Sequence, residues 1–202
     1  MDAEQWDSRY AGQELVWSAE ANGWVQEVVA GLPPGHALDL AAGEGRNAFW
    51  LVQRGWQVHA TDFSPRAVER MEQLADARLG ADRTRLTTSI ADAVRDRPAQ
   101  EAYQLALLSY LQLPPAELRQ ALSHAVDALE PGGTLLVVGH ALRNLTEGTG
   151  GPQDPDVLYD PDEVTAALTG LPVVIAAATE RQREVEGAER PALDTLVVAT
   201  RL

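Results

Sequence analysis

An α/β fold built on a doubly wound, mostly parallel sheet is what this sequence predicts, and three observations predict it. Short apolar runs alternate with helical patterns from residue 36 to residue 139. The first run ends in a Gly43-x-Gly45 turn that opens straight into a helical pattern. Asp39, Asp62 and Asp92 fall at, or just inside, the C-terminal ends of the first three runs, the edge where such sheets hold their ligands.

The elements follow in order. Residues 2–30 mix Trp6, Tyr10, Trp17 and Trp24 with Val25, Val28 and Val29, the later part in helical spacing, and Gly31-Leu-Pro-Pro-Gly35 closes it. A strand at 36–40 leads through the glycine turn to a helix at 47–54, and a second strand covers 57–61. Ser64 as N-cap and Pro65 in the first turn start a helix over 65–79. A strand at 85–89 and the apolar run 103–108 read as buried parallel strands. Pro114-Pro115 opens a helix through Leu129, stopped by Pro131-Gly132-Gly133 before a strand at 134–139.

The alternation then ends. Residues 141–160 are rich in Gly, Asp and Pro, without periodicity and longer than an ordinary connection, and such loops are often functional. A helix over 161–168 precedes two apolar runs, 171–179 and 193–200, around the polar stretch 180–190; with no helix between them they should pair antiparallel. No repeat or linker interrupts the chain. It reads as one domain over 1–202: an aromatic N-terminal cover (1–32), a cofactor-binding core (33–140), a substrate-side loop (141–160) and a C-terminal helix with its strand pair (161–202).

Composition removes several function classes. The absence of cysteine excludes disulfides, thiolate metal sites and a cysteine nucleophile. The four histidines, His36, His59, His124 and His140, have no ligand spacing, so no metal is expected. A formal net charge of −14 opposes binding to nucleic acid or anionic membranes. No apolar run approaches the ~20 residues of a membrane span, and the N-terminus does not resemble a signal peptide, so a cytoplasmic location is expected.

The glycine turn fits two cofactor classes. Gly43-x-Gly45-x-x-Ala48 satisfies the relaxed dinucleotide fingerprint, which leaves a nicotinamide or flavin oxidoreductase open. An acid four residues before the turn, and a crevice made negative by Asp39, Glu44 and Asp62, suit a nucleotide that carries a cation instead.

Asp39-Leu-Ala-Ala-Gly-Glu-Gly-Arg-Asn47 resembles motif I of class I S-adenosylmethionine-dependent methyltransferases, with their Rossmann-like sheet. Asp62-Phe-Ser-Pro65 is similar to the family's acidic end of the second strand, Ala91-Asp92 to its adenine-side loop, and Leu129-Glu-Pro-Gly-Gly-Thr134 to the turn before its fifth strand. The resemblance covers essentially the whole chain and is nearest to small bacterial enzymes of the tellurite-resistance and thiopurine type. It implies seven strands in the order 3-2-1-4-5-7-6 with the seventh antiparallel. It further implies that Asp39, Ala41 and the Gly43–Gly45 backbone hold the methionine end of S-adenosylmethionine, with Asn47 nearby. Asp62 and Ser64 would lie at the ribose, Phe63 on the adenine, and Asp92 at its amino group between Ala91 and Ala93. Leu108 and Ser109 would line the methionine side, and Tyr10 and Trp17 would close over cofactor or acceptor. The fourth strand starts with Tyr103-Gln104 where many relatives carry an acid, and no Asn-Pro-Pro-Tyr motif follows, which tells against DNA or glutamine as acceptor.

The implied reaction is in-line methyl transfer to a small molecule through sulfur, selenium, tellurium, oxygen or nitrogen, leaving S-adenosylhomocysteine. His140, at the end of the fifth strand, either acts as base or orders the loop that follows. Trp17, Tyr110, Arg143 and Tyr159 are acceptor contacts by position, Arg143 suiting a carboxylate. A monomer or homodimer is expected. A non-catalytic S-adenosylmethionine-binding protein is the reading from a different functional class.

Overall fold

The structure, a computed structural model, describes residues 3–10, 12 and 20–202. Trp17 lies outside the described residues. Seven strands form one sheet: β1 (His36–Leu40), β2 (Gln57–Asp62), β3 (Leu86–Ile90), β4 (Tyr103–Ser109), β5 (Leu129–His140), β6 (Val173–Arg183) and β7 (Ala192–Arg201). Their order is β3-β2-β1-β4-β5-β7-β6, as expected. β1 pairs in parallel with β2 and β4, whereas β7 runs antiparallel between β5 and β6. β1 and β4 are the central neighbours from which the chain winds in opposite directions, and the gap between their C-terminal ends is the natural crevice.

Helices cover both faces, because the central strands are apolar on both sides. The amphipathic helices α3 (Arg46–Gln53) and α4 (Pro65–Arg78), with α2 (Gly23–Val29), pack Val25, Leu51, Val52 and Met71 onto Ala37, Leu105, Leu107 and Val138. On the other face α5 (Pro115–Ala128) and α7 (Pro161–Leu168) pack Leu122, Val126 and Val164 against Leu38, Leu108 and Val137. Alternation along a strand then decides where each polar residue lies. Asp39 shares the α3 face with Ala37, and His140 shares it with Val138.

Helix starts obey local capping. Ser64 Oγ accepts the Ala67 N–H at 3.0 Å with Pro65 behind it, and Asp160 with Glu163 forms a reciprocal capping box on α7. α1 (Ala3–Tyr10) packs against α4, and a short α6 (Asn144–Glu147) lies inside the 141–160 loop.

Two boundaries differ from expectation by more than two residues. β5 begins at Leu129, not 134, because Leu129 pairs with Tyr103 before the register breaks at the Pro131-Gly132-Gly133 bulge. β6 runs to Arg183, into the polar stretch expected to separate the two strands, because β7 offers it a ladder as far as Ala192. An edge strand needs a backbone partner on one side only, and it tolerates polar side chains.

Candidate active site

Two backbone strains mark the crevice. Ala41 and Tyr110 follow β1 and β4 directly and hold φ of 56° and 58°, a left-handed conformation that costs a non-glycine residue about 1–2 kcal/mol. Between them lies the turn. Gly45 has φ 85°, and a Cβ there would sit 2.7 Å from Met71 Cγ and 2.8 Å from Phe49 Cζ. Glycine is therefore required both for the conformation and for the approach of α3 to α4.

The turn is tied to the second strand. Asp62, 4% exposed, accepts the Gly43 N–H at 2.9 Å through Oδ2 and the Ser64 N–H at 2.9 Å through Oδ1. Burial raises its pKa, and these two amide bonds oppose the rise. Each oxygen keeps a further lone pair for an incoming hydroxyl. Glu44, the middle residue of the turn, pairs with Arg70 at 2.9 Å, and Arg70 Nη1 also donates to the Tyr10 and Gly12 carbonyls. Ser64 donates its hydroxyl to Asp7 of α1. Tyr10, 4% exposed, stacks on Trp6 at 5.7 Å, so α1 is anchored beside Asp62.

Asp39 is the most unusual group. It is 1% exposed, and neither carboxylate oxygen has a hydrogen-bond partner of normal geometry. Burial lifts its pKa to about 7; the Arg46 charge pulls it down, the Asp62 carboxylate adds to the rise, and the Ala48 amide lowers it slightly. The hydroxyls of Thr61 and Ser109, near the ends of the strands on either side, are also buried without a partner. Buried polar atoms normally find partners, so this group of unpaired atoms at three adjacent strand ends fits a polar ligand.

The other half of the crevice is one closed network centred on Asp194 of β7, which is fully buried. Its Oδ2 accepts from Tyr110 Oη at 2.8 Å, Arg183 Nε at 2.8 Å and Trp24 Nε1 at 3.0 Å. Its Oδ1 lies 3.2 Å from His140 Nδ1, the two residues being directly paired across β5 and β7. Burial alone would raise the Asp194 pKa, but bonds from His140, Arg183 and Trp24 and the Arg183 charge hold it at about 2. Burial and the Asp194 charge push the Tyr110 phenol upward, so it remains a protonated donor. The His140 ring lies 4.9 Å from the Tyr110 ring, and Gly151 packs so closely on it that a Cβ would come 2.7 Å from Cδ2. Asn22 joins the halves: it caps α2 through Oδ1, takes the Asn47 amide oxygen on its own N–H at 2.9 Å, and donates Nδ2 to Tyr110 Oη at 3.2 Å.

The structure therefore brings Asp39, Ala41, Gly43, Gly45, Asn47, Asp62, Ser64, Leu108, Ser109, Tyr110 and His140 to one edge of the sheet. Phe63 is half-buried beside them. Asp92 is committed to its own turn, accepting the Val94 N–H at 2.8 Å with Arg95 at 3.5 Å, and the Ala93 carbonyl lies 3.1 Å from His124 Nδ1 in the α5 layer. Two expected acceptor contacts are placed otherwise. Arg143 is exposed and paired with Glu147 and Glu180, an arrangement of the outer surface. Tyr159 is 2% exposed, and its hydroxyl donates to the Leu111 carbonyl at 3.3 Å while the ring packs on Gly139, so it supports the sheet from within. Sequence reasoning missed Asn22, Arg46, Arg183 and Asp194 and read Trp24 as cover. A polar residue inside an apolar strand, as Asp194 is, was the one signal available.

The comparisons with known proteins agree with this architecture. The family model described as "Methyltransferase domain" matches residues 37–133. A curated protein of Salinispora arenicola, named "Probable non-canonical nonribosomal peptide synthetase (NRPS) CymA", is 32% identical over an alignment of 144 residues that covers 67% of this chain but only 2% of that protein. A solved structure from work on the conversion of a disulfide bond into a thioacetal group during echinomycin biosynthesis superposes with a TM-score of 0.79 at 21% identity, covering 98% of this chain and 91% of that one. A glycopeptide N-methyltransferase complexed with S-adenosyl-L-methionine gives 0.71 at 21%, covering 95% and 99%. At such identities the two superpositions speak for the fold.

Proposed function

We propose that this chain, whose residues 37–133 match a methyltransferase domain, is a class I S-adenosylmethionine-dependent methyltransferase that methylates a small-molecule acceptor at the crevice between β1, β4, β5 and β7. The observation that carries the reading is Asp39: a buried, unpartnered acid behind a glycine turn is complementary to a cationic nucleotide and hostile to a pyrophosphate. Asp39 and the Gly43–Gly45 backbone would hold the amino-acid end of the methyl donor, with Asn47 nearby, and Asp62 would take its ribose hydroxyls. When bound, the donor supplies an electrophilic methyl group on sulfur. The protein's contribution to such a displacement is mainly position and exclusion of water, worth about 7–11 kcal/mol in well-oriented cases.

His140 is the base in this reading. Asp194 Oδ1 lies 3.2 Å from Nδ1, and its charge favours the proton on that nitrogen, which leaves the Nε2 lone pair for an acceptor. Deprotonation of a hydroxyl or amine would then place the charge on an imidazolium 3.2 Å from a carboxylate that is ionised throughout the neutral range. Such a built-in pair favours oxygen and nitrogen acceptors over a chalcogen nucleophile that is already anionic, which needs no base.

The test is a tritiated methyl donor against a panel of phenols, hydroxy acids, amines and thiols, with calorimetric titration of S-adenosylhomocysteine and NADH. Methyl incorporation with S-adenosylhomocysteine as the tighter ligand is expected. His140→Ala should lower kcat about 10²–10⁴-fold with unchanged S-adenosylhomocysteine affinity. Tight binding of NADH alone would return the turn to the dinucleotide reading.

A further inference from the structure

Arg183 makes its bond to Asp194 in an uneconomical way. A structural arginine facing a carboxylate usually engages it with two parallel N–H donors. Here only Nε is engaged, at 2.8 Å from Asp194 Oδ2 and 3.2 Å from Tyr110 Oη, and both terminal nitrogens are without a partner among the described residues. The side chain is 32% exposed, so that fork is open to solvent beside Asp194 and Tyr110. It cannot swing away, because β6 fixes its backbone through the Arg183–Ala192 pair and Asp194 fixes its Nε.

A second cation stands close by. Arg46 lies 5.9 Å and Arg183 5.7 Å from the centre of the same Tyr110 ring. Burial and the Arg183 charge both work against the Arg46 cation. In a chain of net charge −14, two arginines are thus gathered on the acceptor side of the crevice. Asp194 offsets one of them. Two guanidiniums beside a proton acceptor, one of them with an open Nη fork, are complementary to an anion.

We infer that the acceptor is an acid, and that the free Nη fork of Arg183 grips its carboxylate while His140 Nε2 faces the hydroxyl or amine to be methylated. The two ends of the acceptor are thereby read by two residues that share one partner, Asp194. The role expected from sequence for Arg143 belongs to Arg183, about a third of the way along the polar stretch 180–190, where β6 was not expected. This inference rests on the proposed methyl transfer only for the word acceptor; the carboxylate site can be measured without turnover.

The experiment titrates the protein, saturated with S-adenosylhomocysteine, with acetate, phenylacetate and benzoate and with the matching amides, following arginine side-chain ¹⁵N resonances and Trp24 fluorescence against a Trp24→Phe control. At least one carboxylate should bind saturably and at least about 10-fold more tightly than its amide. Arg183→Gln should abolish that preference, and Arg183→Lys, which keeps the charge but loses the fork, should retain part of it. Melting curves of both variants check folding, and should Arg183→Gln unfold, Arg183→Lys alone decides through its reduced preference. Equal affinity for acids and amides, no saturable binding of either, or a preference that persists in the variants overturns the inference. The two readings fail separately. Arginine-dependent carboxylate binding without methyl transfer to any acid sinks the enzyme reading alone, whereas acids and amides methylated with equal kcat/KM sink the carboxylate site alone.

Discussion

Asp39 carries a cost that only a ligand relieves. Its pKa is raised by burial from 3.8 to about 7, so between those values the folded chain binds more protons than the unfolded one. The stability of the ligand-free protein must therefore fall as pH rises from about 4 to about 7, with the full penalty above 7. Asp39→Asn removes the buried charge. At pH 8 it should stabilise the ligand-free protein by a few kcal/mol, read as a higher Tm, and should weaken S-adenosylmethionine binding at least about 10-fold. A cationic ligand favours the ionised form, so wild-type affinity should climb with pH to about 7 and flatten above it. Below pH 7, binding should release up to one proton, measurable by calorimetry in buffers of different ionisation enthalpy. A flat affinity from pH 6 to 8 would mean that Asp39 does not sense the ligand. Asp39 could be singled out from sequence because its spacing to Gly43 is local. Asp194 and Arg183 could not, because their meaning comes from the His140–Asp194 pairing across two antiparallel strands 54 positions apart in the chain.

At the scale of elements, legibility follows the same division. Helix starts written in adjacent residues, such as Ser64-Pro65 and Pro161, are found at the expected positions. The length of β6 depends on β7, a partner that local pattern does not reveal. The 141–160 loop had no periodicity to read, yet it is held from inside. Buried Asn144 donates Nδ2 to the Gly150 carbonyl at 2.8 Å and accepts the Leu193 N–H at 2.8 Å. That bracing lays Gly151 on the His140 ring. Asn144→Ala leaves the Leu193 amide without its acceptor, a loss of about 1–3 kcal/mol for a buried group. Loop displacement should then raise the acceptor KM several-fold while S-adenosylhomocysteine affinity stays within about twofold. Gly151→Val is the sharper probe, because its side chain must displace the imidazole. It should lower kcat as His140→Ala does; wild-type kcat in Gly151→Val would separate the loop from the base.

For the whole molecule, the strand order came from a resemblance, since alternation of elements fixes a parallel sheet but not the winding sequence. The placement of α1 was beyond reach, because aromatic residues before the first strand fit both a packed helix and a cover. The structure separates these roles energetically. Among the described residues, neither hydrophobic core cluster includes a residue of α1, and the sheet and the other described helices lie within residues 20–202. α1 is held instead by polar ties around the turn: Asp7 to Ser64, and Arg70 from Glu44 to the Tyr10 carbonyl. Ties of this kind contribute little to global stability but can order a segment over a ligand. A chain starting at residue 20 should thus unfold cooperatively with its Tm within a few degrees of the full chain. Its S-adenosylhomocysteine affinity should fall about 10-fold or more, because the Asp62 side of the crevice opens to water. Arg70→Ala in the full chain should reproduce part of that loss, since it cuts the tie between the glycine turn and α1. A truncated chain that melts far below the parent would make α1 part of the folding unit, and one that binds as tightly as the parent would leave it no share in holding the cofactor.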